Sequence, residues 1–170
     1  MTAVRDAWKL LKRRLYVSGT TERAIVDDFH RLYHQTGKIQ GSWGVTWRGR
    51  PVAQNPMDLM AMGALARGRT VIEVGTGWGG STLFFVDAGA LFVLTVDIHK
   101  VEFYADDIDE NGKIEDIQGR SIDPDTIEHI RSMAPEDCLV ILDGDHVADT
   151  VLRELYLYAP FVPIGGYVIV

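Results

Sequence analysis

From residue 70 onward, Val, Ile and Leu concentrate in short segments separated by more polar stretches. The stretches 70–75 (TVIEVG), 91–97 (LFVLTVD), 114–118 (IEDIQ), 138–143 (CLVILD) and 167–170 (YVIV) each suit a strand, and several are apolar on both faces. Between them, 80–88, 124–133 and 149–159 carry helical spacing. Strand and helix therefore alternate, which predicts an α/β domain: a doubly wound, mostly parallel sheet covered by helices on both faces. Asp149 is the expected cap of the helix DTVLRELYLYA, and Pro160 its stop. Pro56 opens a further helix, PMDLMAMGALAR, in the first-turn position that proline tolerates.

Upstream the pattern changes. Residues 41–55 (GSWGVTWRGRPVAQN) hold too many Gly, Pro and Trp for regular structure and are expected to form an ordered loop. Trp8, Leu11 and Leu15 form one helical stripe near the N-terminus, with Lys9, Lys12, Arg13 and Arg14 largely elsewhere; packing on protein is expected ahead of a membrane surface. Ile25, Phe29, Leu32 and Tyr33 space a second helix, stopped by Gly37. The expected organisation is an N-terminal helical extension over 1–45 and the α/β domain over 46–170. The last run, YVIV, reads as a buried strand at the chain's end, so the sheet is expected to be truncated after its fifth strand. A second subunit or another partner covering that strand edge is the matching expectation.

Composition narrows the partners. A formal net charge of −7 argues against nucleic acid, which wants clustered Lys and Arg. No apolar stretch approaches the ~20 residues of a membrane span. The single cysteine, Cys138, lies in an apolar run and reads as a core residue of a protein in the reducing cytoplasm.

The candidate chemistry starts at VIEVGTGWGGSTLFF, 71–85. Gly75, Gly77 and Gly80 give G-x-G-x-x-G, while Gly75, Gly77 and Gly79 give G-x-G-x-G. In a strand–turn–helix such glycines allow a tight turn, close ligand approach and, at the third, packing of helix on strand. Asp97 closes the next strand at about the ~20-residue interval of a carboxylate that holds ribose hydroxyls. Both NAD and S-adenosylmethionine carry adenosine. Glu73, two residues before the first glycine, favours the second: a carboxylate beneath the turn can order its N–H groups and attract a cationic sulfonium, but repels a pyrophosphate.

VIEVGTGWGGS resembles the first motif of class I S-adenosylmethionine-dependent methyltransferases, and Val96–Asp97–Ile98 their second-strand acidic motif. More narrowly, 46–59, 73–85, 118–130 and 140–160 together resemble the cephalosporin hydroxylase family, which has the Rossmann-like methyltransferase fold and includes rhamnosyl O-methyltransferase-like members. The resemblance implies that Glu73, Gly75, Thr76, Gly77, Gly79, Gly80 and Ser81 cradle the methionine end, that Asp97 and Ile98 meet the ribose, and that Gly119, Arg120 and Ser121 lie beside the adenine. It also implies that Trp47, Arg48, Gln54 and Asn55 close over the cofactor.

LVILDGDH gathers Asp143, Asp145 and His146 at the end of the fourth strand. Hydroxyl methylation needs a base, and a hard cation bound by carboxylates can lower the hydroxyl's pKa. The resemblance implies Asp145 as a Mg²⁺ ligand; by position, His146 beside it is a candidate proton acceptor or a partner of that ligand, and Asp143, two residues earlier, is expected to face the cofactor. The resemblance puts the remaining Mg²⁺ ligands just after the fifth strand, so the site is expected to be incomplete here. The reading is an O-methyltransferase acting on a small-molecule hydroxyl of a sugar or secondary metabolite; the alternative is a non-catalytic cofactor-binding module. Two other patterns read as structural. The acidic 107–118 segment imitates an EF-hand loop but ends in Gln118 where a Glu is needed, and His30 and His34 lack the glutamate and third ligand of a zinc site.

Overall fold

The computed structural model describes residues 45–103, 112–135 and 137–170. The expectations for the N-terminal helices, His30 and His34 lie outside these residues, as does 107–111 of the acidic segment. The first described elements are β1 (Val45–Trp47) and β2 (Arg50–Val52), an antiparallel hairpin. Over 45–52, the described part of the ordered loop expected for 41–55, the chain forms this hairpin instead. Arg48 and Gly49 both take positive φ, 47° and 79°, as the two-residue turn of a hairpin requires. Pro51 is tolerated because it pairs with Thr46, one step from the turn, where the alternation of the ladder asks for no N–H.

The main sheet holds β3 (Thr70–Val74), β4 (Phe92–Asp97), β5 (Ile114–Gln118), β6 (Cys138–Leu142) and β7 (Val168–Ile169). All neighbours are parallel, in the order β5-β4-β3-β6-β7. Every residue of β3 and β6 is buried, which is why CLVIL is apolar throughout and TVIEV is apolar but for Thr70 and Glu73. Alternate residues feed two cores. Val71, Val93, Leu139 and Ile141 pack under α1 (Pro56–Ala66), α2 (Gly80–Ala88) and the hairpin's Val52. Ile72, Leu94, Val140 and Leu142 pack under α3 (Pro124–Met133) and α4 (Ala148–Tyr158). Glu73 shares the first face with Val71 and therefore points at α2 rather than into open space.

Two expectations about helix ends meet different outcomes. Asn55 caps α1 by accepting the Met57 N–H at 2.9 Å, with Pro56 in the first turn. Asp149, the expected cap of α4, lies inside the helix, which begins one residue earlier after Val147. Asp145 serves that end instead, its carboxylate accepting the Val147 N–H at 3.1 Å and the Thr150 hydroxyl at 2.9 Å. Among the described residues no helix is long and apolar enough to cross a membrane.

Candidate functional site

The strand order reverses between β3 and β6, and the loops at the carboxyl ends of β3, β4, β5 and β6 surround a cavity of about 600 Å³. That is where an open parallel sheet binds its ligand, and the volume suits a nucleoside-sized molecule. Gly75 sets the geometry. Its φ is 97°, and a Cβ there would stand 2.2 Å from the Asp143 carbonyl oxygen and 2.9 Å from Gly144 Cα. The Gly75 N–H is bonded to Val96 and the Asp143 N–H to Val74, each at 2.8 Å, so neither neighbour can retreat alone. Gly80 answers a different need from the one expected. A Cβ there would meet the Pro51 carbonyl oxygen at 2.3 Å, so this glycine lets α2 pack against β2 of the hairpin, not against the preceding strand β3.

Asp97 joins two of these loops. One carboxylate oxygen accepts the Gly77 N–H at 3.0 Å and the other the His99 N–H at 2.9 Å. Each oxygen keeps a lone pair for a further donor such as a ribose hydroxyl. Gly75, Thr76, Gly77 and Ser81 line the cavity on the glycine side, Asp97 and Ile98 beside them. Gly119, Arg120 and Ser121 line it from the loop after β5, and Asp143 and Asp145 from the loop after β6.

Several expected contacts fall elsewhere. Gly79, Gly80, Trp47, Arg48 and Asn55 do not line this cavity. The Trp47 indole and the Arg48 guanidinium both bond Asp87 of α2, and Trp47 packs edge-on against Phe84, so these two residues fasten the hairpin to the helix. Gln54 does reach the cavity, with its amide nitrogen 2.6 Å from Asp143 Oδ2.

Glu73 lies behind the glycine turn, only 1% exposed and outside the cavity lining. Its partners are hydroxyls rather than the expected loop N–H groups: Ser81 and Thr82 donate at 2.5 Å and Thr95 at 2.8 Å. Because the Thr95 proton goes to Glu73, the Thr76 hydroxyl donates in the 2.7 Å Thr76–Thr95 bond. A hydroxyl chain thus runs from the cavity wall at Thr76 to the buried carboxyl. Burial pushes the Glu73 pKa up from 4.5 to about 7, against the lowering by its three hydroxyl donors and with a further push from Asp143. Its negative charge is therefore only partly present at neutral pH, which weakens the expected role as a permanent counter-charge.

Asp143, Asp145 and His146 are close but not equivalent. The His146 Nε2 stands 3.8 Å from Asp143 Oδ1, its side chain 78% exposed. It lines a second cavity, of about 560 Å³, which shares Ala53, Gln54 and Asp143 with the first. Both oxygens of Asp145 already accept a hydrogen bond at the start of α4. Among the described residues no group of three or more His, Cys, Asp or Glu is placed to hold a metal ion. These residues do not fit a Mg²⁺ site by themselves, since that ion keeps its waters unless several oxygens converge on it.

Sequence reasoning also passed over participants. Trp78 and Ile122 line the cavity, and Glu154 and Tyr158 of α4 hold Ser121 from behind it. The available signal was a glutamate on the buried stripe of an amphipathic helix, one turn from Tyr158, where an apolar residue is the norm.

Residues 40–170 match the family described as rhamnosyl O-methyltransferase/CmcI. The chain is 32% identical to a rhamnosyl O-methyltransferase of Mycobacterium leprae (strain TN), over 91% of this chain and 71% of that protein. It is 34% identical to the rhamnosyl O-methyltransferase of Mycobacterium bovis (strain BCG / Pasteur 1173P2), over 59% of this chain and 44% of that protein. Among solved structures it is similar to MycE methyltransferase from the mycinamycin biosynthetic pathway, in complex with Mg and SAH. That likeness has 22% identity and a TM-score of 0.49, and covers 79% of this chain and 35% of MycE. The chain thus spans less than half of the M. bovis protein and about a third of MycE.

Proposed function

The chain belongs to the rhamnosyl O-methyltransferase/CmcI family, and we propose that it binds S-adenosylmethionine in the 600 Å³ cavity and serves O-methylation of a hydroxyl on a sugar or secondary metabolite. The carrying observation is the cavity itself. A glycine turn, a strand-end carboxylate and the loop after β5 converge at the switch point of a parallel sheet, in a chain of this family. In this reading the Gly75–Ser81 turn receives the methionine end, Asp97 the ribose hydroxyls, and Gly119–Ser121 the adenine.

When bound, the cofactor supplies an electrophilic methyl group on its sulfonium. The chain's own work is placement and proton transfer. Gln54 orients the Asp143 carboxylate on the wall common to both cavities, and His146 stands on the second, where its imidazole can accept the acceptor's hydroxyl proton. The acceptor sugar is inferred from the relatives' names, a rhamnosyl unit being the first to try. A cytoplasmic address is part of the proposal, resting on the free, buried Cys138. So is association through the outer edge of β7, which a sedimentation mass above that of the monomer supports and a monomer at all concentrations contradicts.

The second reading, a binding module without turnover, draws on Asp145, whose two oxygens are engaged in holding α4. Methyl-labelled cofactor and a rhamnoside acceptor separate the two, because only the enzyme transfers label. Both readings require Asp97. Asp97→Ala should weaken S-adenosylhomocysteine roughly 5- to 150-fold in calorimetry, as expected from about 1–3 kcal/mol for partners left unbonded. Unchanged affinity would remove the ribose assignment.

A further inference from the structure

The loop after β5 is held in place from α4. The Ser121 hydroxyl donates to Glu154 Oε1, and the Tyr158 hydroxyl donates to the Ser121 carbonyl oxygen at 2.8 Å. Glu154 and Tyr158 sit one turn apart on the same helix face, 1% and 0% exposed, and neither lines the cavity. Glu154 is an expensive choice for such a place. Its Oε2 is buried with no hydrogen-bond partner among the described residues, and a buried polar group left so costs stability that a leucine would not. Burial raises its pKa above the ordinary carboxylate value, against the lowering by the Ser121 hydroxyl, and the nearby Asp145 charge adds to the rise.

What the glutamate gains is a grip on Ser121, a cavity residue. The same helix is fixed at its start by Asp145, and both Asp145 and Thr150 line the cavity too. One helix thereby locks the wall after β5 to the wall after β6. We propose that Glu154 and Tyr158 are positioning residues for the cofactor: they fix Ser121, and with it the cavity wall after β5, in the binding geometry. This rests on the reading that the cavity takes S-adenosylmethionine.

The test is calorimetric titration with S-adenosylhomocysteine, beside circular dichroism to verify that each variant is folded. Glu154→Leu, which matches the volume and removes the acceptor, should bind about tenfold more weakly than wild type while folded. Glu154→Gln keeps an acceptor for the Ser121 hydroxyl and should recover most of that loss. Tyr158→Phe keeps the buried ring, loses only the donor to Ser121, and should also weaken binding several-fold. A merely structural role lowers melting temperature but leaves affinity in the folded variants at the wild-type value, and that result overturns the proposal. So does a Gln variant as weak as the Leu variant. If Glu154→Leu does not fold, wild-type affinity in Tyr158→Phe is decisive against it. Wild-type chain that binds no S-adenosylhomocysteine defeats the underlying reading instead.

Discussion

Glu73→Gln should remove several kcal/mol of pH dependence from the stability of this fold. The Glu73 carboxyl has a pKa of about 7 when folded against 4.5 ordinarily, so between those values the native state binds the proton that the unfolded state has lost. Native stability from this group is then fully present below pH 4.5 and is lost as pH rises through about 7. At roughly 1.4 kcal/mol per pKa unit the loss is about 3–4 kcal/mol. No discount for solvent applies, because the side chain is fully buried among three hydroxyls. Glutamine mimics the neutral acid, so wild type and variant should match near pH 4 and diverge by pH 8, with the variant the more stable. Urea denaturation at a series of pH values measures the gap. Parallel curves would mean that Glu73 stays ionised in the native state.

Gly75→Ala should be the most damaging change at the cavity. The new Cβ would fall 2.2 Å from the carbonyl oxygen of Asp143, a residue whose N–H is bonded to Val74, and φ of 97° strains any L side chain. Overpacking of a tight site costs about 1–3 kcal/mol and the unfavourable φ about as much again. Together these reach ~2–6 kcal/mol, a large part of the ~5–15 kcal/mol that holds a domain folded. Chemical denaturation should show that loss, and the folded fraction should have lost cofactor affinity because β3 and β6 splay apart where the ligand sits. A loss under about 1 kcal/mol would show that the turn has slack which its hydrogen bonds do not suggest.

The sheet was readable because its central strands are buried on both faces, so TVIEV and CLVIL announce themselves without help from distant residues. The glycine turn and Asp97 were readable for a related reason, since both lie in one strand–turn–helix–strand unit. The hairpin was not: Gly49 and Pro51 look like breakers until the turn type and ladder position are known. The partners of Glu73 escaped too, because Thr82 comes from the next helix and Thr95 from the neighbouring strand, and only the folded sheet brings them to one carboxyl. Asp145 gave a composite signal. Its strand-end position pointed to chemistry, while its immediate work is to satisfy Val147 and Thr150 at the start of α4.

If the cavity beneath Gly75 and Asp97 is built for the methyl donor, it should refuse a dinucleotide. Isothermal titration of the wild-type chain with S-adenosylhomocysteine, and separately with NAD, tests it most directly. Saturable one-site binding of S-adenosylhomocysteine, displaced by S-adenosylmethionine, is expected, and none of NAD. Saturable binding of NAD with no response to either methyl-donor ligand would contradict it.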